Sequence, residues 1–189
     1  MRIQPLVLLP LLAMSLGCAD TTPVVADGGI GPAPEVVAQA GAEPASSGLS
    51  IPLHSPRAGL YSAGQPVADD WPLLAERGIG TVINLRSAGE MGGRDDVAEV
   101  RAAGMRYLEL PVADAGAITM ENASLLAAML DNAEGDVLVH CASANRSGGL
   151  LALMAAQEEG MAKADALEFG RQAGMRGTEA RVREVLAGP

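Results

Sequence analysis

Only two cysteines occur in the 189 residues, and one of them, Cys141, stands where chemistry could be done, in "DVLVHCASANRSGGLLALMAA" (136–156). An apolar run ends in His140 and Cys141; Ala142, Ser143, Ala144 and Asn145 follow, then Arg146, Ser147 and two glycines. A strand before this segment and a helix after it account for the apolar runs on either side. The residues between them then form a loop at the carboxyl end of a strand, where α/β sheets bind ligands. Such a loop aims backbone N–H groups inward, and the helix N-terminus adds partial positive charge, so it is an anion cradle. A thiol there is stabilised as its anion: a helix N-terminus and a neighbouring arginine lower a cysteine pKa from about 8.5 to roughly 3.5–7.5. Arg146 supplies a planar fork for two oxygens of a tetrahedral anion. Ser147 is placed to hydrogen-bond the sulfur and help it leave in a second step. An inert core cysteine is the alternative, but it would need neither Arg146 at the helix start nor the paired glycines.

Positioning that loop requires a layered domain, expected over residues 51–189. "AGLYSAG" has the character of a short strand, closed by Gly64-Gln65-Pro66. Asp69 or Asp70 can cap a helix carrying Trp71, Leu73 and Leu74 that stops near Gly78. "TVINLR" (81–86) is a buried strand, and a helix through Val97, Val100 and Ala103 ends at Gly104. "MRYLELPV" (105–112) alternates as a strand does. Thr119 opens a helix with Leu125, Leu126, Met129 and Leu130 on one side. "DVLVH" (136–140) is the next strand, with helices over 148–159, 162–172 and 177–187. Strands alternating with helices predict an α/β fold, a three-layer domain whose central sheet is mostly parallel and flanked by helices.

The remaining residues read differently. "MRIQPLVLLPLLAMSLGC" (1–18) has one arginine, an apolar core and Gly17-Cys18, the pattern of a secretory signal peptide rather than a membrane span. Its end resembles a bacterial lipobox, in which Cys18 would be lipidated and tether an exported, periplasmic protein to a membrane; ordinary signal cleavage is the alternative. Residues 19–50 are rich in Pro, Gly, Ala and Ser, and no Lys or Arg occurs from residue 3 to residue 56. Such a segment buries too little apolar surface to offset its ordering entropy and reads as a linker. The formal net charge of −10 argues against non-specific binding to nucleic acid or anionic lipid. Any anionic substrate must therefore be drawn in by a local site.

"VLVHCASANRSGG" resembles the signature loop of cysteine-dependent phosphatases, whose pattern is His-Cys, five residues, Arg, then Ser or Thr. Here four residues separate Cys141 from Arg146, which is similar to the bacterial beta-lactamase-hydrolase-like phosphatase family, a relative of the dual-specificity phosphatases. "YSAGQP", "GIGTVINLRSAGE" (78–90) and "GMRYLELPVADAGAIT" (104–119) fit the same family in order, so the resemblance spans about residues 59–187. It implies a two-step hydrolysis of phosphate monoesters, on a phosphorylated protein or a small ester. Cys141 would attack phosphorus, while Arg146, Ser147 and the amides of Ala142, Ser143, Ala144 and Asn145 hold the oxygens. The general acid would be an aspartate on an upstream loop, a place taken here by Asp114, which could equally be a turn-forming residue. The resemblance puts His140 beneath the loop, orienting it by hydrogen bonds, and Arg86 and Glu90 in the site's rim or in an internal ion pair.

Two other readings stay open. Cys141 to Arg146 is also the six-residue span of a rhodanese-like sulfurtransferase loop, although Ala144 stands where such loops usually carry glycine. A catalytically dead, tethered phospho-ligand-binding module is the third. Two histidines and two cysteines make no plausible metal site, and neither a Walker loop nor a dinucleotide fingerprint occurs, so no cofactor is expected.

Overall fold

The computed structural model describes residues 48–188; the signal-like segment, Cys18 and residues 19–47 lie outside them. Five strands, β1 (Leu53–Arg57), β2 (Leu60–Ala63), β3 (Ile79–Asn84), β4 (Arg106–Glu109) and β5 (Asp136–His140), form one sheet in the order β1-β2-β5-β3-β4. The pairs β2–β5, β5–β3 and β3–β4 are parallel; only β1 runs antiparallel, on the edge. The helices are α1 (Asp70–Glu76), α2 (Asp96–Ala102), α3 (Met120–Asp131), α4 (Asn145–Gln157), α5 (Lys163–Gln172) and α6 (Glu179–Ala187). None of them is long and apolar enough to cross a membrane.

Three layers follow from the two-residue period of the strands. Leu138 and Val82 turn to one face and pack with Trp71 and Leu74 of α1 and Val100 of α2. Val137, Val139 and Ile83 turn to the other and meet Leu126 of α3, Leu150 and Leu153 of α4, Phe169 of α5 and Val182 of α6. Strand β5 is apolar because helices cover both of its faces, as in parallel sheets generally. With almost no aromatic residues to call on, the core is built from branched aliphatics around α4, whose residues Ser147–Ala155 are all buried.

Several expectations change. Strand β1, "LHSPR", was not expected; it contains Pro56, which an edge strand tolerates because no ladder bond is lost. Neither Asp69 nor Asp70 caps α1 through its side chain. Asp70 instead accepts from Ser50 N (2.7 Å), Ser50 Oγ (2.6 Å) and Val67 N (2.9 Å). In α3 Thr119 does cap, accepting from Asn122 N at 3.2 Å, but Leu125 is exposed rather than buried beside Leu126. Helix α4 starts at Asn145, earlier than residue 148, and its glycines face α5 and the chain around Met175 and Thr178. A Cβ on Gly148 would lie 2.7 Å from the Gly170 carbonyl, and one on Gly149 would lie 2.8 Å from Thr178 Oγ1. The glycine pair thus lets α5 and the turn before α6 close onto α4.

Candidate active site

Strand β5 lies in the middle of the sheet and ends at His140, so Cys141 emerges at the carboxyl edge of the parallel strands, with its N–H donating to the Ala63 carbonyl (3.3 Å). Residues 142–144 then turn into α4. The turn is sharp because Ala144 adopts φ 64°, ψ −12°, the only left-handed non-glycine among the described residues. An L-residue there costs roughly 1–2 kcal/mol, which the surroundings must supply. The Ala144 carbonyl accepts from Gly148 N at 2.8 Å, and the loop's outer edge pairs with the chain at Gly64, where Gln65 N reaches the Ala142 carbonyl (3.4 Å). Residues Ala142 and Ser143 are exposed, whereas Ala144 is buried.

Cys141 is fully buried. Burial alone would push its thiol up. The Ser143 amide, the Ser147 hydroxyl and the amides of Ser147 and Arg146 outweigh it and bring the thiol below its ordinary value. The Ser147 Oγ is buried and makes no hydrogen bond, yet it is near enough to the sulfur to favour the thiolate.

Arg146 is fixed by acceptors drawn from two distant segments. Its Nη1 donates to Glu90 Oε2 (2.9 Å) and to the carbonyls of Val112 (2.6 Å) and Ala113 (3.1 Å), and its Nη2 meets Glu90 Oε1. Glu90 is itself held by Ser87, from N (2.9 Å) and Oγ (3.0 Å), in a capping box around the turn Ala88–Glu90. The Arg146 hydrogen bonds, opposed by burial and helped by Ser87, hold the Glu90 carboxyl down at about 2. Glu90 in turn raises the guanidinium's pKa, and Cys141 adds to this despite burial. Of the two expectations for Glu90, rim or ion pair, the structure shows an ion pair, and its partner is Arg146.

Asp114 follows the two carbonyls that Arg146 holds. Exposed, it caps the turn Ala115–Ala117, its Oδ1 accepting from Gly116 N (2.7 Å) and Ala117 N (3.2 Å). Its turn-forming role and its place beside the arginine therefore coexist. Arg86 is not bound to Glu90: its Nη1 donates to Gln65 Oε1 (2.5 Å) and lies 3.9 Å from Asp96 Oδ2. Asp96 is buried, which raises its pKa against the help of Gln65 and Arg94. This group ties the chain at Gln65 to the start of α2, behind the loop. Asn145 is the loop's other anchor, its Oδ1 accepting from Arg176 N (2.8 Å) and Thr178 N (3.2 Å).

His140, expected to orient the loop by hydrogen bonds, does not. Both ring nitrogens are buried without a hydrogen-bond partner, and the ring stands edge-on to Trp71 with centroids 5.8 Å apart. Burial, with the Arg86 charge behind it, pushes its pKa down to about 3, the Cys141 backbone opposing only in part. In the unfolded chain the imidazole titrates near about 6.5. Its folded pKa is depressed, so stability is full above that value and is lost as the pH falls toward 3. Between pH 7 and pH 4 the protein is expected to lose on the order of 3 kcal/mol that His140→Leu retains. Urea unfolding at both pH values measures this; equal losses in the two proteins would show that the ring is not the source.

Among the described residues no three His, Cys, Asp or Glu side chains gather as they would around a metal ion. Beside the loop lies a cleft of about 290 Å3, lined by Ile51, Pro52, His54, Gly64, Gln65 and residues 142–144.

Residues 57–158 match the family of the beta-lactamase hydrolase-like protein, phosphatase-like domain. A beta-lactamase hydrolase-like protein of Agrobacterium fabrum is 32% identical over 119 residues, which is 61% of this chain and 27% of that relative. The chain thus spans about a quarter of that curated relative's length. Among solved structures, a DUF442 protein of Shewanella putrefaciens is 28% identical, with a TM-score of 0.54 over 71% of this chain and 91% of that one. TpbA of P. aeruginosa is 30% identical, with a TM-score of 0.51 over 73% and 91%. The match takes in the strand, the loop with Cys141 and Arg146, and the segments carrying Glu90 and Asp114, and on it the chain belongs to the beta-lactamase hydrolase-like family of phosphatase-like domains.

Proposed function

We propose that this domain hydrolyses phosphate monoesters through a phosphocysteine on Cys141. The observation that carries the reading is a buried cysteine whose thiolate is favoured by loop amides and Ser147, beside an arginine held in place by Glu90. The thiolate sulfur attacks phosphorus, and a sulfur–phosphorus bond forms as the bond to the ester oxygen breaks. That oxygen leaves with the electron pair and takes a proton from Asp114. In the second step Asp114, now a carboxylate, removes a proton from water as the water oxygen attacks phosphorus. The sulfur leaves with its electron pair, helped by the Ser147 hydroxyl, and inorganic phosphate is released. Arg146 and the loop amides bear the charge on the non-bridging oxygens in both steps, so positioning and electrostatics lower the barrier. The cleft beside the loop offers Ile51 and Pro52 as a wall for the ester's organic group.

The purified protein is expected to release p-nitrophenol from p-nitrophenyl phosphate, and acid-quenched samples should carry one phosphoryl group on the peptide containing Cys141. Sulfur transfer from thiosulfate to cyanide, with a persulfide on the same peptide and no ester turnover, would replace this reading with the sulfurtransferase one.

A further inference from the structure

Asp114 and Cys141 lie on loops that must keep one geometry, and a single helix outside the family match touches both. We propose that α6 braces the acid loop against the nucleophile loop, with Arg181 as the positioning residue. The inference rests on Asp114 being the general acid.

The acid loop is pinned on two sides. Arg146 holds the carbonyls of Val112 and Ala113, just before Asp114. Just after it, Arg181 Nε donates to the Ile118 carbonyl (3.3 Å) and Nη2 to the Gly116 carbonyl (3.5 Å). These two carbonyls lie within and just after the turn that Asp114 caps, so the carboxylate is strung between two arginine anchors. Arg181 is oriented from its own helix by Glu184, 3.1 Å from Nη1, and its neighbour Val182 is buried in the core.

The same helix is tied to the nucleophile loop. Thr178, immediately before α6, donates from Oγ1 to the Asn145 carbonyl (2.9 Å) and from N to Asn145 Oδ1 (3.2 Å). Gly149 leaves room for that threonine, and a Cβ in its place would lie 2.8 Å from Thr178 Oγ1. One rigid element thus runs from the nucleophile loop to the acid loop. The two Arg181 bonds are long, so their effect lies in direction more than in strength. A proton donor must lie within hydrogen-bond reach of the leaving oxygen, and an error of about 1 Å can cost roughly a hundredfold in rate.

The test uses two esters that differ in their need for an acid. Phenyl phosphate has a poor leaving group, whereas 2,4-dinitrophenyl phosphate leaves without a proton. Arg181→Met, which keeps the apolar stem, is expected to lower kcat on phenyl phosphate by roughly tenfold or more and to flatten the basic limb of its pH profile. On the dinitrophenyl ester the same change should cost less than about threefold, because no proton transfer is needed. Arg181→Lys, which can still reach one carbonyl, should recover part of the loss. Asp114→Asn, measured alongside, should show the same dependence on leaving group, only larger. Equal losses on both esters in Arg181→Met, or no loss, overturn the brace while a selective loss in Asp114→Asn keeps the acid assignment. If Asp114→Asn shows no selectivity, the acid assignment falls and the brace with it.

Discussion

Serine in place of Cys141 is expected to lower p-nitrophenyl phosphate turnover by roughly 10^4-fold or more, as loss of a covalent nucleophile does elsewhere. The substitution keeps shape and hydrogen-bonding capacity while removing the anion. The donors that bring the thiol below its ordinary value, the Ser143, Ser147 and Arg146 amides and the Ser147 hydroxyl, cannot ionise an alcohol at neutral pH. They still form the cradle, however, and Arg146 stays paired with Glu90. Cys141→Ser should therefore still gain thermal stability from inorganic phosphate, which separates loss of the nucleophile from loss of the loop. Turnover that persists in the variant would remove the phosphocysteine from the mechanism. Loss of both turnover and the phosphate-induced stabilisation would mean that the loop had collapsed, and Cys141→Ala would then have to show the cradle intact.

Glu90→Gln is expected to lower kcat/KM by roughly 10- to 100-fold, since it loosens the guanidinium that must meet the phosphoryl oxygens. The amide keeps the length of the side chain but offers one acceptor and turns a donor toward Arg146. Its effect on pH dependence is a sharper check. The Glu90 carboxyl is held at about 2, so the ion pair is present above the ordinary carboxylate range and is lost only as the pH falls through about 2. The proposed nucleophile, Cys141, is a separate group, brought below its ordinary value by the loop donors, and its titration sets the acid limb on that mechanism. The variant's pH profile should thus fall in height while keeping the position of its acid limb. An acid limb that moves with the substitution would show that Glu90 titrates in the working range.

How much of this could be read in advance depended on distance along the chain. Cys141, Arg146 and Ser147 lie in one continuous segment, and strand β5 has the bounds its apolar run predicts, Asp136–His140. The placement of Glu90 was readable as a pair of possibilities only, because its partner is 56 residues away and residue type cannot choose among the arginines. Arg181 carried no signal at all: it serves carbonyls 63 and 65 residues distant, and main-chain acceptors leave no trace in composition. The start of α4 was misplaced for a related reason. Glycines inside a helix read as a boundary, but Gly148 and Gly149 are demanded by Gly170 and Thr178 on neighbouring elements. Strand β1 was missed because serine, histidine and proline predict a loop, whereas an edge position and the partner strand decide the matter. His140 is buried, yet its partner is the Trp71 ring instead of a hydrogen-bond acceptor.

The clasp between Ser50 and Asp70 has a mechanical consequence. A pull transmitted along the chain from residues 1–47 reaches Ser50 before it reaches β1. Two hydrogen bonds, from Ser50 N and Ser50 Oγ, reach the Asp70 carboxylate and pass the load to α1, whose Trp71 and Leu74 pack against the sheet. Tension is thereby led around the antiparallel β1–β2 edge, which would otherwise peel pair by pair. The loop carrying Cys141, at the end of β5 two strands further in, lies off the path of the force.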